Sequence, residues 1–242
     1  MRITAHGSYL TQLATLPLLF PVNAYMVREE DGLTMIDAGL PGNARAYLAA
    51  AARLGAPIRR IVLTHAHADH MGSLDALAAL LPEAEVIASA RDARFMAGER
   101  SLDPDEPQTP LRGGYQAVKT RPSRLVRDGD RIGSLLVVAS PGHTPGHIAL
   151  LDTRDHSLIA GDAFQTRAGL AVSGTARPLF PFPAMATWNR PAALESARRL
   201  LELGPSRLAV GHGEVLETPG AAIERAIAEA AAQLDEAQPH GA

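Results

Sequence analysis

The stretch Ile58-Arg59-Arg60-Ile61-Val62-Leu63-Thr64-His65-Ala66-His67-Ala68-Asp69-His70 decides how this chain is read. Its first half, Ile58–Leu63, reads as a strand buried on both faces. Its second half is an H-x-H-x-D-H cluster, and imidazole and carboxylate together suit zinc and similar first-row ions. His65 and His67 lie two apart, so an extended backbone sends both side chains to the same side. Asp69 and His70 fall where the chain should turn into a helix, and that change of direction aims them at a second point. One short segment can therefore supply ligands to each of two neighbouring ions. The bland alternative, a solvated polar loop, fits poorly directly after a buried strand, where the active-site residues of α/β folds gather.

Three later segments share this context. Pro141-Gly142-His143-Thr144-Pro145-Gly146-His147 follows an expected strand over Leu135–Ala139, Gly161-Asp162 follows Leu158–Ala160, and Gly211-His212-Gly213 follows Leu208–Val210. Each time a β run ends in a turn carrying glycine and a histidine or aspartate. His147 competes with His143 for the ligand role, but it opens the next strand, which favours a structural reading. His6, His156 and His240 stand outside any cluster and read as surface residues.

The rest of the chain alternates. Ala24–Val27 and Leu33–Asp37 are expected to form a hairpin around Glu30-Asp31-Gly32. A helix follows Pro41-Gly42 and ends near Gly55. Further helices are expected over Leu74–Leu81, Asp92–Ala97, from about Asn189, and over Ala221–Leu234, with a strand at Val86–Ala88. A second hairpin is expected around Asp128-Gly129, joining Leu125–Val126 to Arg131-Ile132, and Ile148–Leu151 and Leu158–Ala160 flank a turn at Asp152–His156. Residues 98–123 and 164–187 are irregular, and segments that long inside a compact domain are typically functional or disordered. No repeat or linker divides the 242 residues, so one mixed sheet-and-helix domain over 1–242 is expected.

Composition removes several classes. The chain is 46% hydrophobic and 20% charged, as ordinary globular proteins are. With 4% aromatics, Ala, Leu, Val and Ile must build most of the interior. A net charge of −3 without a dense Lys/Arg run disfavours nucleic acid as a partner. No apolar run approaches the length of a membrane span, and Leu16–Val22, broken by Pro17 and Pro21, makes a poor signal peptide. The expectation is a cytoplasmic protein with a small-molecule partner. The absence of cysteine excludes disulfides, thiolate zinc sites and cysteine nucleophiles.

Together these residues resemble the metallo-β-lactamase superfamily, and the resemblance runs through nearly the whole chain, including Asn23-Ala24-Tyr25 and Ile36-Asp37-Ala38-Gly39. It implies an α+β fold, a four-layer αββα sandwich, with a dinuclear metal site at one edge. By that resemblance His65, His67 and His143 hold the first ion, Asp69, His70 and His212 the second, and Asp162 bridges them. Two divalent ions are implied, zinc first, with manganese or iron compatible with the same donors. Metal-bound water ionises near pH ~7, so the implied chemistry is hydrolysis by a bridging hydroxide, with Asp69 shuttling the proton.

The branch of the family follows from departures. True β-lactamases of the superfamily place Cys or Ser where this chain has Asp162, so the pattern is closer to glyoxalase II-like thioesterases and lactonases acting on ester-type bonds. The glyoxalases bind glutathione through a basic C-terminal extension, whereas Arg225 is the sole basic residue between His212 and His240. Quorum-quenching lactonases carry Tyr three residues after the bridging Asp, where this chain has Gln165. Superfamily dioxygenases with a single iron are the redox alternative, and a non-catalytic metal-binding scaffold is the other. Pro178-Leu179-Phe180-Pro181-Phe182-Pro183-Ala184-Met185 suggests an apolar wall for an acyl group, which makes Phe180, Phe182 and Gln165 candidate substrate contacts. The same run would also serve as a core plug or a homodimer interface. Leu18-Leu19-Phe20 would form the opposite rim.

Overall fold

A computed structural model describes residues 1–237; His240 lies outside them. Seven strands form the first sheet in sequence order: β1 (Arg2–His6), β2 (Leu10–Thr15), β3 (Val22–Glu29), β4 (Gly32–Ile36), β5 (Ile58–Val62), β6 (Glu85–Ser89) and β7 (Arg124–Val126). The first three strand pairs are antiparallel, and β4 to β7 run parallel. Parallel neighbours need crossovers. These carry α1 (Ala44–Leu54) between β4 and β5, and α2 (Ala68–Met71) with α3 (Leu74–Leu80) between β5 and β6, while α4 (Ala90–Met96) follows β6.

The second sheet takes β8 (Arg131–Ile132), β9 (Leu135–Ala139), β10 (Ile148–Asp152) and β11 (Ser157–Ile159). A small hairpin of β12 (Phe164–Gln165) and β13 (Ala171–Val172) follows, then α5 (Phe182–Met185) and α6 (Arg190–Glu202). β14 (Arg207–Ala209) and β15 (Leu216–Glu217) complete the second sheet in the order β15-β14-β11-β10-β9-β8, and α7 (Gly220–Ala237) closes the described chain.

Alternation along the strands builds the layers. On β3, Tyr25 and Val27 face the second sheet while Ala24 and Met26 face α1 and α3. On β9 and β10, Leu135, Val137, Ile148 and Leu150 enter the same inter-sheet core, whereas Val138, Ala149 and Leu151 pack against α6 and α7. Three cores separated by two sheets make the four-layer αββα sandwich.

The structure alters three expectations. β1 and β2 stand where no strand was expected. β7 and β8 do not form a hairpin: β7 pairs in parallel with β6 and β8 pairs with β9, so the chain leaves one sheet for the other around Asp128-Gly129. On β5, Arg59 is exposed and Arg60 pairs with Asp31, so the strand is not buried throughout: Ile58 and Ile61 enter the helix-side core and Val62 the inter-sheet core.

β4 and β5 run parallel in one sheet, as do β11 and β14 in the other. The turns that follow β5, β9, β11 and β14 hold the histidine and aspartate candidates, and they meet at one edge of the sandwich.

Candidate metal centre

The chain turns sharply after β5. His67 keeps an extended backbone (φ −82°, ψ 149°) and α2 starts immediately after it, so Asp69 and His70 point away from the direction of His65 and His67. Three sets of side chains bring ligand atoms within 4.8 Å of one another: His65, His67 and His143; His65, His70 and Asp162; and Asp69, His70 and His212. The first and third sets are those implied by the sequence. The Asp162 carboxylate lies between them, 3.3 Å from His143 Nε2, 3.4 Å from His70 Nε2 and 3.2 Å from His212 Nε2.

Proton accounting shows what this cluster can bind. Asp37 can only accept, and it lies 2.8 Å from His70 Nδ1, so that nitrogen carries the proton. Thr64 gives its hydroxyl proton to Asp37 and therefore accepts from His65 Nδ1 at 3.0 Å. His212 Nδ1 donates to the Pro21 carbonyl at 2.7 Å, and His67 Nε2 donates to the Arg112 carbonyl at 3.0 Å. Thr187 donates to the Pro183 carbonyl, Ser173 donates to Thr187, and Ser173 is left to accept from His143 Nδ1 at 3.0 Å. In all five rings the outward nitrogen is a donor, which leaves the inward one as the atom that can offer its lone pair to an ion. Two of these lone pairs, His67 Nδ1 and His143 Nε2, face each other at 2.9 Å. The inward nitrogens of His65 and His70, and Asp162 Oδ1, are buried without any hydrogen-bond partner. Buried polar atoms left open in this way, aimed at common points, fit divalent cations.

The electrostatics agree. Burial drives His65 and His143 well below the ordinary histidine range and His67 to about 4, so all three are neutral at physiological pH, as ligands must be. For His70, burial opposes the proton, but Asp162, Asp37 and Asp69 outweigh it and push the ring up to about 10. Asp162 is held well below the usual carboxylate range because His212, His70 and His143 outweigh its burial. The second ligand set therefore attracts positive charge strongly, which a divalent ion would satisfy.

His147 is not free to bind: its Nε2 accepts from the Asp162 backbone N–H at 3.1 Å and its Nδ1 lies 2.8 Å from Ser140 Oγ. It sets the backbone of Asp162. Gly211 is fixed by space, since a Cβ there would lie 2.0 Å from Asp162 Oδ1. His6 is half-buried against Gln12 and His156 is exposed, both away from the centre.

A cleft of about 220 Å³ opens on the centre. His67, Asp69, His143, Asp162 and His212 form its polar side, and Phe20, Phe182, Pro183, Ala186 and Gly114 the remainder. The three candidate substrate contacts separate. Phe182 lines the cleft and is half exposed, whereas Phe180 is buried against Phe20 and His212. Gln165 is buried, donates to the Phe180 carbonyl at 3.3 Å, and does not reach the cleft. Residues 98–123 form an ordered strap that delivers the Arg112 carbonyl to His67 and the Gly114 carbonyl to the Ala68 N–H.

Asp37, Thr64, Ser173 and Thr187 were given no role from sequence. The one available signal was Asp37 at the end of a buried strand; its φ of +61° is a conformation held at a cost of about 1–3 kcal/mol.

Known proteins resemble this chain in sequence and fold. The family model for the metallo-beta-lactamase superfamily matches residues 18–212. The uncharacterized protein YobT of Bacillus subtilis (strain 168) is 51% identical over 231 residues, 95% of this chain and 99% of that protein. A hydroxyacylglutathione hydrolase of Aeromonas hydrophila is 30% identical over 166 residues, 66% of this chain and 54% of that enzyme. Among solved structures, TTHA1623 in a di-iron-bound form superposes with a TM-score of 0.62 at 27% identity, covering 86% of this chain and 95% of that one. Fold, histidine and aspartate clusters and family match agree, and this chain belongs to the metallo-beta-lactamase superfamily.

Proposed function

We propose that this protein is a metal-dependent hydrolase that uses a dinuclear centre, zinc by first choice, to cleave a lactone, thioester or related ester of a small molecule. The observation that carries the reading is the proton accounting: five buried rings, each with its outer nitrogen engaged as a donor and its inner nitrogen aimed at one of two shared points. Bound divalent ions would supply Lewis acidity and water acidified toward neutral pH. His65, His67 and His143 would hold one, Asp69, His70 and His212 the other, and Asp162 both.

The chain's own residues divide the remaining work. Asp69 has a side chain 30% exposed against 3% for Asp162, so it is the carboxylate that can pass a proton between the cleft and water. Phe20, Phe182, Pro183 and Ala186 offer an apolar wall for the acyl part and exclude water from it. The exposed apolar side chains of Leu18, Leu19, Leu179 and Met185 lie on the two segments that carry Phe20 and Phe182. The hydroxyacylglutathione hydrolase relative supports an ester-type bond.

We also read the protein as a cytoplasmic enzyme whose partner is a small molecule rather than nucleic acid or a membrane. The net charge of −3 supports this. No helix among the described residues is long and apolar enough to cross a membrane.

The test compares kcat/KM for a lactone and an open-chain thioester of equal acyl length, with zinc- or manganese-loaded protein. Turnover of either supports the reading, and the preference between them names the branch. If neither is hydrolysed, the ester assignment fails. The di-iron neighbour then makes iron-dependent oxygen consumption the second reading to measure.

A further inference from the structure

Asp92 stands in the first turn of α4, buried, with no contact to the cleft. Its carboxylate collects hydrogen bonds from two loops far apart in sequence. Oδ2 accepts from the Ala66 N–H at 2.8 Å, between His65 and His67. It also accepts from Thr144 Oγ1 at 3.0 Å, next to His143, and Oδ1 accepts from the Gly146 N–H at 3.0 Å. Helix α4 does not need this carboxylate, because its N-cap bond runs from the Asp92 backbone N–H to Ser89 Oγ at 3.0 Å. Gly146 is shaped to the carboxylate: a Cβ there would lie 2.4 Å from Asp92 Oδ1. Burial pushes Asp92 up to about 6, against hydrogen bonds from Thr144, Ala66 and Gly146 that pull it down; all three partners are donors, the set that an ionised carboxylate accepts. A buried charge costs stability and persists where its hydrogen bonds hold something in place.

We propose that Asp92 is a positioning residue for the first ligand set, a carboxylate staple that fixes the His65–His67 turn to the loop carrying His143. The inference rests on the metal-centre reading above and adds a selectivity to it. The second set is positioned by other groups, His70 by Asp37 and His212 by the Pro21 carbonyl. Loss of the staple therefore weakens one ion and spares the other. An asparagine keeps the shape of Asp92, but its amide group turns a donor toward backbone and hydroxyl donors.

The experiment titrates Zn²⁺ into metal-free, full-length protein against a chromophoric chelator. His67→Ala and His212→Ala identify which binding phase belongs to which ligand set. For Asp92→Asn the expected result is a first-set affinity lowered ~10–100-fold, the range found when a group supporting a ligand is lost, with the second set within about threefold of wild type. Thr144→Val removes only one of the donors and is expected to weaken the same phase by a smaller factor; it carries the test if Asp92→Asn does not fold. Equal weakening of both phases, or none, overturns the proposal while leaving the metal centre intact. A wild-type protein that binds no Zn²⁺ overturns the metal-centre reading and this inference together.

Discussion

At the residue scale, the centre is a problem in where protons go. A histidine ligand is useful only in one tautomer, and the tautomer is set by the group behind the ring. Thr64 shows how closely this is arranged: it can accept from His65 only because Asp37 takes its own proton. Ser173 and Thr187 pass the same constraint along a longer chain to the Pro183 carbonyl. Asp69 differs from the histidine candidates in having no hydrogen-bonded support behind it, and from Asp162 in its partial access to solvent, which suits a group that exchanges protons. Asp69→Asn is therefore expected to lower kcat by ~10²–10⁴, the usual worth of a positioned acid–base group. The control is metal occupancy measured on the same sample, and unchanged turnover with both ions bound would remove the proton role. The ligand candidates were legible in the sequence because histidine and aspartate advertise their chemistry by type and spacing. Their supports were not, because serine, threonine and main-chain carbonyls occur everywhere and acquire meaning only through contact.

At the element scale, the strap of residues 98–123 is the clearest case of structure without a sequence signature. It contains no regular element, yet it is tied down along its length. Arg91 makes a two-pronged ion pair with Glu106 at 2.7 and 2.8 Å and donates to the Ser101 carbonyl, and Arg94 pairs with Asp103. Further along, Trp188 Nε1 donates to the Thr109 carbonyl at 2.9 Å, and Leu111, Tyr115 and Val118 pack on the core of the first half. Tyr115 also stacks edge-on against His67. Arg91→Ala removes the ion pair and the guanidinium stacked 4.3 Å over Phe95. The expected outcome is faster proteolytic cleavage within 98–110 and a stability loss of ~1–2 kcal/mol, with zinc affinity falling several-fold as the Arg112 carbonyl leaves His67. Cleavage and affinity matching wild type would mean the strap is held by Trp188 and the apolar contacts alone. β2 escaped notice for a related reason. Its Thr11 and Gln12 are polar but buried, with Gln12 donating to the Gly213 carbonyl, and such a strand has no apolar stripe to read. The false hairpin at Asp128-Gly129 has a different cause: a turn sequence fixes local bending, while the sheet each arm joins is decided by tertiary packing.

At the scale of the whole molecule, the centre exists only when two halves of the chain meet. The segment before β8 contributes His65, His67, Asp69 and His70, and the segment after it His143, Asp162 and His212. The halves are joined beside the centre by Asn23 Nδ2 to the Val210 and Gly213 carbonyls, both at 2.8 Å, and by Tyr25 Oη to the Val210 carbonyl at 2.6 Å. This gives physical meaning to Asn23-Ala24-Tyr25, which from sequence was only a point of resemblance. The cleft wall is divided in the same way, since Phe20 comes from one half and Phe180 and Phe182 from the other, with ring centroids 5.1 Å apart in both Phe20 pairs. Burial separates their roles, as Phe180 is 2% exposed and Phe182 52%. Phe180→Ala opens a void between the halves and is expected to cost ~3–5 kcal/mol of stability, as deletion of a buried Phe side chain does. Phe182→Ala removes half-solvated surface, so the melting temperature should move little while the preference among substrates of different acyl length shifts toward a flatter profile. The pair is checked by thermal melts beside kcat/KM across an acyl series. A Phe182→Ala protein with wild-type chain-length preference would remove the acyl wall and leave this surface as packing between the two halves.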